Sequence, residues 1–432
     1  MRKHSTILII ISNLLFCSAE EYLSEIQSLT DSSLYKQAEK KINLALQDYN
    51  ASAKLFFIGG EIAIKLDNLD EANKYLIKAI ELDNKNKTYR STQEKLEKLK
   101  NLLTSSRKTF DSGNYEDAII EHENIATNFP ENAIVFYNLG RIYKVNNDYN
   151  SAVNNYKKAI ELNPFEEKYK KAVIAVAQEM TSNGDIEYRR QEFDSAMDYY
   201  NKSLHYAPKY APTYFKVANV YRKLQDIDKA IELLKIGLSY DSSYAKIHLM
   251  LGKLYKKKDK IKLAKISINS AININSNYTK AYFELGQIYF NENNYDFAIK
   301  EYQNAINSDS TYKRAYLTLG LCEMNIKNYD NAELYYSKAF SLDDKYIDAY
   351  YRLSEVYNLQ QRYKEAKEMA KKAIYVKQNY APALYELGFA EMHLCNIVAA
   401  KDAFEKAKKD RSIRPSANKY LKDIGYYTKD CN

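Results

Sequence analysis

The sequence predicts an all-α fold built from stacked helical repeats, and three observations support this. An alanine recurs every 34 residues in the second half of the 432-residue chain, at Ala196, Ala230, Ala264, Ala298, Ala332, Ala366 and Ala400. An aromatic residue follows several of these alanines by four positions, and a glycine precedes most of them by twelve. A fixed period of this length indicates repeats, because each unit must stack on its neighbours to bury its apolar face.

The ladder of alanines continues toward the N-terminus with two irregular steps. The additional members are Ala152, Ala118, Ala72 and Ala38, which together give eleven predicted repeats. The step from Ala72 to Ala118 spans 46 residues and the step from Ala152 to Ala196 spans 44. We therefore expect two of the eleven repeats to be longer than the rest.

Both inserts are predicted to be helical. The first places Leu96, Leu99 and Leu103 on a common helical face, which indicates a lengthened first helix in the third repeat. The second is expected to end near Gly184, because glycine favours helix termini. Each insert is a place where the array is expected to bend, or else a surface extension without consequence for stacking.

Proline positions agree with these helix boundaries. A proline inside a helix removes a hydrogen bond and clashes with the preceding turn, at a cost of about 3 kcal/mol or more. The six prolines all lie at predicted helix ends or first turns: Pro130, Pro164, Pro208, Pro212, Pro382 and Pro415. Pro415 is expected to open a final helix that covers the last repeat, which would otherwise expose its stacking face.

The pattern resembles the tetratricopeptide repeat family, whose helix-turn-helix unit has this period and these small and aromatic positions. One stretch fills the family's eight marked positions, with Phe136, Leu139, Gly140, Tyr143, Ala152, Tyr156, Ala159 and Pro164. The resemblance covers residues 20 to 413. It implies a right-handed superhelical solenoid of about eleven repeats with a C-terminal capping helix.

The predicted organisation has five parts. Residues 1–19 form a signal peptide, 20–84 repeats 1 and 2, and 85–164 repeats 3 and 4 with a lengthened first helix. Residues 165–413 form repeats 5 to 11, and 414–432 form the capping helix and tail. No linker rich in Gly, Pro and Ser separates these parts, so one elongated array is expected.

The N-terminal segment is typical of an export signal. Arg2 and Lys3 precede an apolar run from 7 to 16, and small residues then suit cleavage after Ala19. The run is shorter than the roughly 20 residues that a membrane-spanning helix needs. Lipidation of Cys17, and with it membrane association, is a less favoured alternative, because lipoprotein signals have a small residue where this chain has Phe16.

Composition and motifs argue against catalysis. The formal net charge of +8 is too small to indicate nucleic-acid binding. No Gly-rich phosphate loop, nucleophile elbow or HExxH motif occurs, so no enzyme activity, cofactor or metal is predicted. The sequence Glu121-His122-Glu123 comes nearest to a metal cluster, but successive helical residues diverge by about 100°, so a solvated helix face is expected.

The resemblance implies a concave groove, lined by first helices, that holds extended peptides or partner helices. Its expected basic part comprises Arg107, Tyr137, Arg141, Lys144, Phe215, Asn219, Arg222, Lys246, Lys253 and Lys256. Its expected apolar part comprises Phe283, Phe290, Leu321, Met324, Tyr385, Phe389 and Met392. The family's carboxylate clamp is not expected, because only Asn219 and Lys246 match its residues.

We therefore expect a non-catalytic scaffold or adaptor of a bacterial cell envelope, most simply periplasmic, with a protein or peptide partner. An envelope assembly factor or chaperone-like protein that binds outer-membrane proteins or glycans is the alternative. Two structural explanations of the groove stay open. The lysines would serve solubility alone, and the apolar stripe would be covered by the array itself or by the capping helix.

Overall fold

A computed structural model describes residues 18–427 of the chain, and its regular elements there are 23 α-helices. The chain separates into two compact units, one up to Lys216 and one from Val217 onward. The boundary falls inside α11 (Ala211–Lys223) and at neither of the two long steps. Within each unit, consecutive helices pair as helix-turn-helix repeats, which confirms the predicted all-α repeat fold.

The first unit holds the first five repeats. Its helices before α11 are α1 Ala19–Asp31, α2 Tyr35–Asp48, α3 Ala53–Lys65, α4 Leu69–Leu82, α5 Lys87–Asp111, α6 Tyr115–Asn128, α7 Ala133–Val145, α8 Tyr149–Leu162, α9 Glu167–Arg189 and α10 Phe193–Tyr206.

The second unit holds the later repeats and the final helix. Its helices after α11 are α12 Ile227–Tyr240, α13 Ala245–Lys257, α14 Ile261–Ile274, α15 Thr279–Asn291, α16 Tyr295–Ser308, α17 Lys313–Asn325, α18 Tyr329–Leu342, α19 Ile347–Leu359, α20 Tyr363–Val376, α21 Ala381–His393, α22 Ile397–Ala407 and α23 Arg414–Tyr427.

The recurrent alanine and glycine lie where the two helices of a repeat cross. Every ladder alanine has a relative exposure of 0%. At the crossing of α7 and α8, a Cβ added to Gly140 would lie 2.6 Å from the ring of Tyr156. The small residue therefore lets the helix backbones approach while the aromatic ring fills the adjoining space.

Each repeat turns between its two helices through a residue with positive φ, five positions before the ladder alanine. These residues are Ser33, Asp67, Gly113, Asn147, Gln191, Gln225, Asp259, Asn293, Lys327, Gln361 and Cys395. At Asn293 the backbone forms the Schellman pattern, with Asn293 N donating to Phe290 O and Asn294 N to Tyr289 O, both at 2.9 Å. The first helix of each repeat thus ends at a single residue in the left-handed conformation.

The two long steps are accommodated by long first helices. Helix α5 has 25 residues and α9 has 23, while the other first helices have 13. The expectation that the second insert ends near Gly184 is wrong, because α9 continues to Arg189. Gly184 serves close packing instead, since an added Cβ would lie 2.5 Å from the Tyr200 ring.

In the first unit, the turn between α3 and α4 contacts the start of α9. The carboxylate of Asp67 accepts hydrogen bonds from Lys168 Nζ at 2.6 Å and from the Tyr169 hydroxyl, and its side chain is 3% exposed. The Asn163 amide donates to Lys65 O at 2.8 Å. Repeat 2 thereby packs against a helix about 100 residues further along the chain.

The final helix caps the array as predicted. Helix α23 buries Ala417 and Ile424, and its Tyr420 ring stacks on Phe404 with centroids 5.5 Å apart. These contacts cover the apolar face of α22 that has no following repeat.

The predicted signal segment lies outside the described residues up to position 17. Ser18 is the N-cap of α1 and forms a capping box, in which Glu21 N donates to Ser18 Oγ and Ser18 N donates to the Glu21 carboxylate. Cleavage after Ala19 would remove this cap. Among the described helices, none has the length together with the apolar composition that a membrane crossing requires.

Candidate functional site

A cleft of about 470 Å³ lies in the first unit, beside the long helix α5. It is lined by the α3–α4 turn and by side chains of α5, α6 and α7. The lining residues are Asp67, Asn68, Leu69, Asp70, Lys100, Leu103, Thr104, Ser106, Arg107, Phe110, Asp111, His122, Asn138, Arg141 and Ile142. Of the sequence-predicted groove residues, it brings together Arg107 and Arg141.

The charges in the cleft leave its arginines available to a ligand. Lys100 Nζ is paired with Asp70 at 2.9 Å. The Asp67 carboxylate is paired with Lys168, which is not part of the cleft lining. Arg107 lies 3.6 Å from Asp111, but its side chain is 81% exposed, so this pair is weak. Arg141 is exposed and has no carboxylate within ion-pair distance in the described part of the chain. Three cations and three carboxylates line the cleft, and Arg141 is the cation among them that has no ion pair within the described residues.

The other predicted residues of the first unit are engaged within the fold. Lys144 Nζ pairs with Glu179 at 3.0 Å. The Tyr137 ring packs against two tyrosine rings, with centroid distances of 5.8 Å to Tyr156 and 5.3 Å to Tyr169. Phe215 on α11 is half-buried. These side chains shape the surface but offer fewer free polar groups than the two arginines.

His122 was expected on a solvated helix face, and this is wrong. The imidazole is 3% exposed and lies at the floor of the cleft, where its Nδ1 is hydrogen-bonded to Ser106 Oγ. Its Nε2 has no hydrogen-bond partner among the described residues. Burial lowers the pKa of His122 to about 4, so the ring is neutral at pH 7.

A sequence signal for the position of His122 was available. It lies four residues after Ala118, where five other repeats carry the buried aromatic residues Tyr156, Tyr200, Tyr302, Tyr336 and Phe404 at the helix crossing. No group of three or more His, Cys, Asp and Glu side chains in residues 18–427 is arranged to hold a metal ion.

The predicted basic residues of the second unit are mostly paired. Lys253 and Lys256 both contact the carboxylate of Glu284, with N–O distances of 2.9 and 2.5 Å. The Arg222 guanidinium donates to Asn219 Oδ1 at 3.2 Å. Lys246 is exposed. The next repeat thus supplies the counter-charge of Lys253 and Lys256, which leaves these lysines less available to a ligand than unpaired cations would be.

Two members of the expected apolar groove are buried and do not reach a ligand. Phe283 is 1% exposed and packs on Tyr302, with the Arg314 guanidinium 4.7 Å above its ring. Met392 is 0% exposed and belongs to the cluster that the capping helix completes. The sequence positions are correct for first helices, but neighbouring helices cover these side chains.

The remainder of the apolar stripe is half-buried. Tyr385 and Phe389 lie against Tyr420 of α23, with centroid distances of 6.0 and 5.5 Å. Phe290 packs on Tyr295 at 5.6 Å. Leu321 and Met324 pack beside the buried residues of α19. At its C-terminal end the stripe is thus covered by the capping helix, as one of the two structural explanations anticipated.

A buried polar cluster lies in the same region and was not anticipated. The Glu386 carboxylate accepts a hydrogen bond from Asn358 Nδ2 at 2.7 Å, while Arg352 pairs with Glu355 at 2.8 Å. Burial raises the pKa of Glu386 to about 7. The residues of this cluster do not occupy the positions that match the family's groove-facing sites, so the sequence comparison did not identify them.

Comparison with known proteins supports the repeat assignment. Models described as "Tetratricopeptide repeat" match residues 53–86, 133–165, 245–278, 279–312, 313–346 and 347–380, and one described as "TPR repeat" matches 218–259. No protein of curated function matched the chain.

Similar solved structures cover part of the chain. The protein YrrB, described as "a TPR protein with an unusual peptide-binding site", is 23% identical over 43% of this chain and 95% of its own, with a TM-score of 0.38. MamA is 30% identical over 38% of this chain and 95% of its own, with a TM-score of 0.35. The C-terminal part of a repeat protein from Cytophaga hutchinsonii is 20% identical over 55% and 98%, with a TM-score of 0.47.

The matched repeats occupy more than half of the chain and coincide with helix pairs of the structure. Proteins of this repeat class act as interaction scaffolds that bind peptide or protein partners. The chain belongs to the tetratricopeptide repeat family.

Proposed function

We propose that this protein is an exported, non-catalytic scaffold or adaptor of a bacterial cell envelope, which holds a negatively charged segment of a protein partner in the cleft of its first unit. One observation carries the proposal. Arg107 and Arg141 line this cleft with little or no counter-charge, whereas Lys253 and Lys256 of the second unit are paired with Glu284.

The cleft suits a peptide segment better than a compact small molecule. Side chains of α5 and α7 line it, and they combine cationic groups with the apolar surfaces of Leu103, Phe110 and Ile142. Guanidinium groups bind carboxylates through charge-assisted hydrogen bonds, and the apolar side chains bury flanking residues of the same segment.

Export has support from the sequence. The first 19 residues follow the pattern of a cleaved signal, in which Arg2 and Lys3 precede a short apolar run and small residues suit cleavage after Ala19.

Charge reversal tests the binding surface. The full chain and an Arg107→Glu/Arg141→Glu variant are compared by crosslinking in envelope extracts followed by identification of the captured proteins. We expect the variant to lose its principal partner. Arg90→Glu/Arg411→Glu is the matched control, because both arginines are exposed and neither lines the cleft. Identical captures from all three proteins would contradict the proposed cleft.

Mass spectrometry of the mature N-terminus tests the route of export. We expect a chain that begins at Glu20, as cleavage after Ala19 requires. An acylated Cys17 would instead establish a membrane-anchored form, which retains Ser18 and the cap of α1. An intact Met1 in protein from the native host would contradict export through a cleaved signal.

A further inference from the structure

The third repeat departs from the other repeats at the crossing of its two helices. In seven of the eleven repeats this crossing pairs a glycine with a large apolar or aromatic side chain, as in Gly140–Tyr156, Gly286–Tyr302 and Gly320–Tyr336. In the third repeat the same two positions hold Ser106 and His122. Both are buried, with exposures of 0% and 3%, and they are hydrogen-bonded to each other.

Having Ser106 and His122 in place of a glycine and a large apolar side chain lowers the stability of the crossing if the two residues serve packing alone. Leaving one nitrogen of a buried imidazole without a partner costs about 1–3 kcal/mol, which an apolar pair such as Gly388 and Phe404 avoids. The unpartnered atom is His122 Nε2, and the imidazole is part of the cleft lining. The polar pair therefore places an unpartnered hydrogen-bonding atom just beneath the lining of the cleft, where side-chain rearrangement on binding would bring it into contact with a ligand, while Ser106 holds the ring by its other nitrogen.

The groups around the imidazole favour an anionic ligand. Charged side chains that line the cleft with His122 are Lys100, Arg107 and Asp111 on α5, Arg141 on α7, and Asp67 and Asp70 in the α3–α4 turn. Its own helix adds the neighbours Glu121, which accepts from Thr109, and Glu123, which accepts from Tyr143. Lys100 is paired with Asp70 at 2.9 Å and Lys168 with Asp67 at 2.6 Å, whereas Arg107 has only the longer 3.6 Å contact with Asp111, so the two arginines are the cations with the least counter-charge.

We propose that His122 Nε2, together with Arg107 and Arg141, forms a carboxylate-binding subsite at the floor of this cleft. The subsite rests on the proposed function and names its ligand chemistry: an acidic side chain or a chain terminus of the partner, both of which present a carboxylate. Leu103, Phe110 and Ile142 contact the apolar residue beside that carboxylate. His122 is a specificity-determining residue that distinguishes a carboxylate from its neutral amide.

Binding at this subsite is linked to proton uptake. Without ligand the imidazole is neutral, because burial lowers its pKa to about 4. A carboxylate within hydrogen-bond distance of Nε2 stabilises the protonated ring and raises that pKa, by about one to three units for a close opposite charge. Affinity for a carboxylate therefore increases as the pH falls from 7 toward 5, and affinity for an amide does not.

NMR of the full chain with ¹⁵N-labelled histidine tests the subsite. The probes are N-acetyl-leucyl-glutamate amide, its glutamine counterpart, and N-acetyl-leucine, whose only carboxylate is terminal. We expect the His122 imidazole signals to shift with the first and third probes, and their titration midpoint to rise by at least about one pH unit. The ratio of the two carboxylate affinities shows whether a side chain or a chain terminus is preferred.

The matched control restores the pattern of the other repeats. Ser106→Gly/His122→Tyr recreates the packing of Gly140 and Tyr156, so the fold is retained while the nitrogen is removed. We expect this variant to bind the glutamate probe about tenfold more weakly, as loss of a hydrogen bond to a charged group predicts, and to lose the pH dependence. His205 and His248 signals serve as internal references.

Three results would overturn the proposal: no His122 shift with either carboxylate, an equal shift with the glutamine probe, or unchanged glutamate affinity in the double variant. These measurements use small probes and purified protein, so they are independent of export and of the partner's identity. Failure of the crosslinking experiment with a positive titration would reject the proposed function and keep the subsite.

Discussion

Small residues at helix crossings determine how closely the two helices of a repeat approach. Gly286 illustrates this, since an added Cβ would lie 2.7 Å from the Tyr302 ring, closer than ordinary van der Waals contact. Gly59, next to the crossing position of repeat 2, has its nearest neighbour at 3.4 Å, in the Tyr75 ring. Two glycines in similar helices thus differ in the space available to a methyl group.

We predict opposite effects of alanine at these two positions. Gly286→Ala should lower the local free energy of unfolding by about 1–2 kcal/mol, because overpacking exceeds the gain in helix propensity. Gly59→Ala, the control, should be neutral or stabilising by up to about 1 kcal/mol. Native-state hydrogen exchange in α15 and α16, and in α3 and α4, measures both. Equal stabilisation by the two substitutions would contradict a tight crossing at Gly286.

The left-handed turn residues carry a cost that glycine removes. Lys327 has φ of +61° and an exposed side chain. A residue with a Cβ in this conformation is disfavoured by roughly 1–2 kcal/mol, and glycine recovers part of this despite its greater entropy in the unfolded chain. Lys327→Gly should therefore raise the thermal midpoint, while Lys327→Ala should leave it unchanged. A gain from alanine equal to that from glycine would show that lysine chemistry, and not φ, is responsible.

At the scale of the element, α1 depends on a residue beside the predicted cleavage site. Ser18 supplies the capping box of α1, whose only buried residue is Ile26. Ile26 and the half-buried Tyr22, Leu23 and Leu29 pack in a core cluster, and the cap adds stability at the exposed first turn of the helix. Processing after Ala19 removes that contribution and places a positive α-amino group at the helix N-terminus, where the helix dipole disfavours it.

We predict that Ser18→Ala in the unprocessed chain destabilises α1 by about 1 kcal/mol, whereas Ser18→Asp retains the cap. Hydrogen exchange of α1 amides measures the effect, with α7 as an internal reference that should not change. Equal protection of α1 in the alanine and aspartate variants would contradict a role for the Ser18 side chain.

At the scale of the whole molecule, the two units contain buried groups with opposite pKa shifts. Burial lowers the pKa of His122 in the first unit to about 4 and raises that of Glu386 in the second to about 7. His122 contributes stability that is present above its unfolded pKa of about 6.5 and is lost as the pH falls toward 4. Glu386 contributes stability that is present below about 4.5 and is lost as the pH rises through 7.

We predict that the contributions of His122 and Glu386 to stability respond to pH in opposite directions, each by at most about 3 kcal/mol between pH 4.5 and 7. Hydrogen exchange, corrected for the intrinsic rate at each pH, measures each contribution as the difference between the protein and a variant that lacks the group, in α6 for His122 and in α21 for Glu386. Ser106→Gly/His122→Tyr should lose less protection of α6 than the unmodified protein as the pH falls from 7 to 5, and Glu386→Gln should lose less protection of α21 as the pH rises from 5 to 7. The same pH dependence in the protein and its variants would contradict the assignment to these two groups.

Much of the fold follows from the sequence because repeat contacts are local. The alanine ladder, the crossing glycines and the prolines locate helix pairs, since each repeat packs mainly on its neighbours. For the same reason, the helical spacing of apolar residues in the sequence predicted the long helix α5 and the final helix α23. Gly184 misled the prediction of the end of α9, because one residue type serves both helix termination and close packing.

The candidate site followed from the sequence only in part. Arg107 and Arg141 were placed correctly on first helices, and the structure brings both to one cleft. Lys253 and Lys256 both pair with Glu284 of the next repeat. These pairs depend on the directions of side chains in two repeats, and the spacing of residues in the sequence does not predict such directions.

The sequence by itself determined the repeat class, the helix pairs and most of their boundaries, α9 excepted, because a 34-residue period and helix-breaking residues act through local backbone geometry. Only the tertiary structure decided which polar groups stay available to a partner. In the structure Phe283 and Met392 are buried, the Asp67 carboxylate accepts a hydrogen bond from the Tyr169 hydroxyl, and His122 lines the cleft. These outcomes depend on contacts between residues distant in sequence, which a periodic pattern does not encode.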